Sequence, residues 1–296
     1  MRPPPANGND SAMNYRHAFH AGNFADVVKH AILALLIERL KAKAAAFRVI
    51  DTHAGAGLYD LEEGEAARTG EWQRGIARLS DQTFEPAVAE LLQPYLDAVA
   101  AANQDERGLI RHYPGSPWIV RHLLRPQDRL TAVELHPDDA AALQALFAGD
   151  RQVKVIALDG RLALGAFLPP KERRGLVLVD PPFEEADEFD ALLAGFVKAH
   201  SRWPTGVYVL WYPVKDLYAV DRLRAGLAAS GIHRVVRAEL TVRDRSTPGL
   251  FNGTALVICN PPWQFTDALA GLLGGLVPVL ADGPGAGFEI DTIAGE

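Results

Sequence analysis

Cysteine is almost absent: Cys259 stands alone in 296 residues. That excludes an internal disulfide and a thiolate-built zinc site, and it suits a reducing compartment. Nowhere does an apolar run reach the roughly 18 residues that a membrane-spanning helix needs. The opening MRPPPANGND lacks the apolar stretch of a secretory signal. There is no phosphate loop of the G-x-x-x-x-G-K-[ST] kind and no G-x-S-x-G nucleophile turn. His17, His20 and His30 crowd the N-terminal region, yet no Asp, Glu or Cys pattern completes a ligand set, so no metal is expected. Cations are in the minority, 30 Lys and Arg against 37 Asp and Glu, for a net charge of −7. A wholesale nucleic-acid-binding surface is therefore disfavoured.

The charge is uneven. Residues 264–296 hold five acids and no Lys or Arg, whereas residues 1–50 carry seven Lys and Arg against three acids. A basic front is compatible with a local phosphate-binding face, although solvated charge explains the same imbalance. Apolar residues at 48% and charged residues at 23% are ordinary for a globular chain, which excludes wholesale disorder.

Residues 1–12, rich in Pro, Gly, Asn and Asp, show no periodicity and read as a disordered extension, with Met13 as a natural start. Val27, Val28, Ile32, Leu35, Leu36 and Leu40 recur at helical spacing over 26–42. FRVID (47–51) reads as a buried strand running into a Gly-containing turn. Residues 62–112 are Ala-, Glu- and Leu-rich with helical spacing and read as a helical insertion. Core segments are then 13–61 and 113–296. Ser116-Pro117 suits a helix start, with Ser as cap. Strands are expected at 129–135, 153–158, 175–180 and 206–212, separated by helices at 138–148, 161–167, 187–202 and 215–230. HRVVRAELTV and GTALVICN leave no room for a helix between them and should form a hairpin. The pattern predicts an α/β fold whose sheet is mostly parallel, with one antiparallel strand in a terminal hairpin.

Three consecutive strands end in an acid, Asp51, Glu134 and Asp159 (before Gly160), and the first is followed by the turn His53-Ala-Gly55-Ala-Gly57. Glycines let the backbone approach a ligand at the carboxyl edge of such a sheet, and a strand-end acid can bind ribose hydroxyls. The turn is not a complete G-x-G-x-x-G, so a nicotinamide cofactor is poorly supported. Asp180-Pro181-Pro182-Phe183 ends the next strand. Its carboxylate, the Pro181 carbonyl and an aromatic ring can grip a planar amine, as on a base turned out of its stack. Asn260-Pro-Pro-Trp263 is a rival copy, less favoured because it closes the terminal hairpin. Lys171-Glu-Arg-Arg174 and Arg243-Asp-Arg245 read as solvated loop charges, with phosphate contact as the alternative.

Tyr15-Arg-His-Ala-Phe-His-Ala-Gly-Asn-Phe-Ala-Asp-Val-Val-Lys-His30, Asp-Thr-His-Ala-Gly-Ala-Gly, Tyr-Pro-Gly-Ser-Pro, Glu-Leu-His-Pro, Asp-Pro-Pro-Phe and Leu-Trp-Tyr-Pro-Val together resemble the RlmJ family. These are methyltransferases that use S-adenosylmethionine to modify adenine N6 in 23S ribosomal RNA. The resemblance spans about residues 13–263. It implies a Rossmann-like methyltransferase sheet with an inserted helical subdomain, acting on free or partly assembled RNA as a cytoplasmic monomer without metal. It further implies cofactor contacts at Lys29, His30, His53, Ser116, Glu134, Asp159, Gly160 and Asp180. Asp180 would also be the proton acceptor, Tyr15 an RNA contact that orders around its substrate, and Phe183 the ring that stacks on the target base. Phe183 departs from the Tyr common at that position and loses a hydroxyl. A glutamine amide or DNA adenine as acceptor, and a non-catalytic RNA-binding scaffold, are the alternative readings.

Overall fold

The computed structural model describes residues 16–104, 109–185 and 187–295. The expected disorder of 1–12 and the role of Tyr15 lie outside the described residues.

Asn23 opens the first helix, α1 (Phe24–Lys41), by accepting hydrogen bonds from the backbone N–H groups of Ala25 and Asp26. Side-chain capping of this kind satisfies donors that the first turn leaves orphaned. α1 is buried on nearly every face, which explains its all-round apolar sequence. The chain then enters the sheet at β1 (Arg48–Asp51) and turns into β2 (Leu58–Asp60). Short helices α2 (Gly64–Thr69) and α3 (Ala77–Ser80) and the longer α4 (Pro86–Ala102) fill the expected insertion. Its neck is closed by β3 (His112–Pro114), which pairs antiparallel with β2. Leu92, Tyr95, Ala98 and Val99 of α4 share one hydrophobic cluster with α1, so α4 adds to the main core.

Strand–helix alternation follows: α5 (Ser116–Leu123), β4 (Arg129–Glu134), α6 (Pro137–Leu146), β5 (Val153–Ala157), α7 (Gly160–Ala166), β6 (Gly175–Val179), α8 (Glu188–Arg202), β7 (Val207–Val214) and α9 (Leu217–Ala229). The terminal hairpin is β8 (Val235–Thr241) with β9 (Gly253–Cys259). Beyond it lie α10 (Phe265–Leu280) and an edge strand, β10 (Gly287–Ala294).

The eight-stranded sheet has the order β10-β8-β9-β7-β6-β1-β4-β5. β5, β4, β1, β6 and β7 are parallel neighbours. Two strands, β9 and β10, run against them, where the sequence pattern predicts one. The addition is β10, whose alternating acids Glu289 and Asp291 read as solvated charge but pair with the fully buried Arg237 of β8. Chain order reverses between β1 and β6. At such a switch point the strand ends splay and leave a crevice for a ligand. Among the described residues, no helix is long and apolar enough to cross a membrane.

Candidate active site

The crevice is a cleft of about 310 Å³ lined by Lys29, His30, His53, Ser116, Glu134, Asp159, Gly160 and Asp180. Residues as far apart in sequence as 29 and 180 meet there because β1, β4, β5 and β6 all deliver their carboxyl ends to one edge. The volume suits a nucleoside-sized ligand.

The Gly-rich turn forms one wall. Gly55 has φ +60°, and a Cβ there would lie 2.1 Å from the Tyr59 hydroxyl. Its N–H donates to Glu134 Oε2 at 2.7 Å, while the His136 N–H donates to Oε1 at 2.8 Å. Glu134 therefore ties the turn to the end of β4 and keeps further lone pairs for a ligand. Gly160 is needed for a different reason: a Cβ would stand 2.3 Å from the Thr52 carbonyl and 2.8 Å from the His53 ring. Asp159 caps α7 through the Arg161 N–H at 2.8 Å.

Ser116 is the first residue of α5 and does not cap it, as the sequence pattern suggested; Gly115 takes that place. The Ser116 hydroxyl donates instead to Asp51 Oδ2 at 2.6 Å. Asp51 is fully buried, and burial, reinforced by nearby Asp180, pushes its carboxyl up to about 7 against the Ser116 bond. Burial likewise lowers His30 to about 3 and His53 to about 4, so both rings are neutral near pH 7. His30 stacks on Tyr113, with Nδ1 2.8 Å from the tyrosine hydroxyl.

At the floor, Lys29 Nζ donates to Asp180 Oδ2 at 2.5 Å and lies 2.9 Å from Asp26 Oδ1. Asp26 in turn accepts from the Gly22 N–H at 3.0 Å and pairs with His17 at 2.9 Å. Burial alone would lower the Lys29 pKa, but Asp180 and Asp26 outweigh it and hold the ammonium well above its ordinary value. A buried lysine between two carboxylates is thus a fixed cation. Asp180 lines the cleft, and among the described residues no group donates to its Oδ1 or to the Pro181 carbonyl.

Phe183 adopts a left-handed φ of 54°. Its ring turns from the cleft toward Phe189, at 4.7 Å, and Trp211, at 5.7 Å. The rival Asn260 follows β9, which runs the other way, and its side chain is spent on the Pro204 and Gly206 carbonyls. Arg174 and Arg243 are not solvated charges: Arg174 donates to the Leu40 and Ala45 carbonyls, and Arg243 pairs with Asp282.

The sequence reading passed over Leu135, His136 and Asp139, which also line the cleft. Leu135 is 49% exposed, an apolar ledge beside Glu134, and His136 Nδ1 is buried without a partner among the described residues. An unpartnered buried nitrogen is costly unless a ligand completes it. The signal was available, since both directly follow the strand-end acid.

A family model described as "Ribosomal RNA large subunit methyltransferase D, RlmJ" matches residues 44–290. Ribosomal RNA large subunit methyltransferase J of Escherichia coli is 43% identical over 270 residues, which cover 90% of this chain and 95% of that protein. Its namesake in Haemophilus influenzae is 39% identical over 284 residues, covering 96% of this chain and 100% of that one. The crystal structure of protein LPL1258 from Legionella pneumophila superposes with a TM-score of 0.82 at 31% identity, over 92% of this chain and 98% of that one.

Proposed function

The chain belongs to the RlmJ family of ribosomal RNA large subunit methyltransferases, and from that premise we propose which of its residues carry out the reaction. The enzyme methylates the N6 amino group of an adenine in 23S ribosomal RNA, with S-adenosylmethionine as donor, during ribosome biogenesis. The amide, DNA and non-catalytic readings give way to this one.

The donor set of the cleft fits the cofactor. Glu134, Leu135 and His136 offer ribose acceptors, an apolar ledge and an unpartnered nitrogen for the adenosine end. Lys29, His30, His53 and Ser116, with Asp159 and Gly160, would hold the amino-acid end and the edge beside it. When bound, S-adenosylmethionine supplies an electrophilic methyl group on a sulfonium.

The observation that carries the assignment of roles is the Lys29–Asp180 pair. Lys29 fixes one carboxylate oxygen, which leaves Oδ1 to accept from one N6–H bond of an inserted adenine, with the Pro181 carbonyl assigned to the other. Those hydrogen bonds draw the N6 lone pair out of conjugation with the ring and point it along the line of displacement. Positioning of this kind can supply a large part of an enzyme's acceleration. Asp180 Oδ1 then receives the proton that the methylated nitrogen sheds. Phe183, expected to stack on the target base, is instead packed against Phe189 and Trp211, so its role is to support the wall beside Pro182.

We take the substrate to be free or partly assembled RNA in the cytoplasm, because N6 must leave its stack to reach the cleft. We take the enzyme to act as a monomer. We assign residues 62–112 to an insertion between the 13–61 and 113–296 segments, with α4 packed on α1. Mapping N6-methyladenine in 23S RNA from cells with and without this protein tests the assignment. Loss of one modified position is expected, and an unchanged map would refute it.

A further inference from the structure

On the other side of the Lys29–Asp180 pair lies a smaller groove of about 50 Å³, which shares those two residues, His17 and Pro182 with the cleft and ends at Trp211, Lys215 and Phe251. The fold builds this wall. β7 ends at Val214, and β9, running antiparallel beside it, begins opposite at Gly253. Lys215 and Phe251 therefore come to the same edge as Asp180. Phe251 is held in place: its carbonyl accepts from Arg243 at 2.9 Å, the neighbouring Asn252 N–H donates to the Val214 carbonyl at 3.3 Å, and its ring packs on Phe24 at 4.8 Å.

Lys215 Nζ sits over the Phe251 ring at 4.8 Å. Other cations at this edge are committed, Arg243 to Asp282, Arg245 to Glu239 and Lys29 to Asp26 and Asp180. Among the described residues, Lys215 is exposed and pairs with no carboxylate. An aromatic face orients an ammonium without neutralising it.

We infer that the mouth of this groove lies along the path of the substrate strand and that Lys215 binds an RNA backbone phosphate beside the flipped adenosine, oriented for it by Phe251. The inference rests on the proposed RNA reaction and adds the residue that captures the strand. A base committed to Asp180 brings its own phosphates to the groove mouth, where a fixed, unmatched cation completes the contact.

The test uses protein-free large-subunit RNA from cells lacking the enzyme, with labelled S-adenosylmethionine, at two salt concentrations. Lys215→Gln should raise the RNA KM about tenfold at the lower salt, the effect of losing one charge-assisted contact. kcat should fall no more than about twofold, and the dependence of log KM on log salt should flatten by about 0.7 for a single-strand phosphate. Lys215→Arg, which keeps the charge, should restore both. A Lys215→Gln enzyme with wild-type KM and salt slope overturns the inference, as does an equal loss of cofactor affinity. Failure of the wild-type enzyme to label RNA would instead remove the functional reading beneath it.

Discussion

Lys29 Nζ and Asp180 Oδ2 stand 2.5 Å apart, joining the first helix to the end of β6 across 151 residues of sequence. The ammonium is 4% exposed and the carboxylate 12%, so neither charge is left to solvent alone. Lys29→Gln removes the cation that aims Asp180. The expected result is a fall in kcat of about a hundredfold, within the range of acid–base and positioning effects. Single-turnover methylation at saturating RNA and cofactor checks it.

Asp51 makes stability depend on pH with a defined sign. Burial pushes its carboxyl up to about 7 in the folded protein, against the ordinary 3.8 of an exposed aspartate when unfolded. Between those values the unfolded chain has released the proton and the folded one has not. Its contribution is thus fully present below the unfolded pKa and is lost as pH rises toward 7. Asp51→Asn keeps an acceptor for the Ser116 hydroxyl and lacks that titration. The Tm of the variant minus that of the wild type, measured without cofactor, should climb between pH 4 and 7 and level off above.

Gly160→Ala drives a methyl group into the Thr52 carbonyl and the His53 ring. Overpacking of this kind costs about 1–3 kcal/mol. Because His53 lines the cleft, S-adenosylmethionine affinity should fall about tenfold or more as well. Calorimetric titration and a thermal melt of the same sample separate the two effects.

Arg237 is fully buried and pairs with Glu239, Glu289 and Asp291, clamping β10 onto β8. Arg237→Met leaves the buried Glu239 short of a partner and should cost about 3–5 kcal/mol. The arrangement is remote from the crevice in sheet order, so cofactor affinity should be retained. Urea denaturation beside a binding titration distinguishes this from a role in the site.

The crevice was legible in the sequence because parallel strands bring their carboxyl ends to one edge. Asp51, Glu134, Asp159 and Asp180 could be read off as strand ends, and the strand ends meet. What each acid does there was not legible. Asp51 lies beneath Ser116, and each Glu134 oxygen accepts a backbone N–H of its own cleft while keeping a lone pair for a ligand. Such contacts are set by tertiary packing and leave no periodic trace. β10 escaped for a similar reason: the acids that disguise it as a solvated tail make sense only against Arg237, 54 residues from Asp291, and Arg224 of α9. Lys29 entered through resemblance to a family, and its pairing with Asp180 became visible only in three dimensions.

The central claim is that Asp180, aimed by Lys29, receives adenine N6 in the crevice. Asp180→Asn keeps the shape of the side chain and removes the carboxylate. Wild-type and variant proteins should be incubated with S-adenosylmethionine and large-subunit RNA from cells lacking the enzyme, and the digested nucleosides assayed for N6-methyladenosine. The account predicts N6-methyladenosine from the wild type and at most about 1% of that rate from Asp180→Asn, the loss expected of a proton acceptor, with the variant still binding cofactor. Wild-type rates from the variant, or no N6-methyladenosine from the wild type, would contradict it.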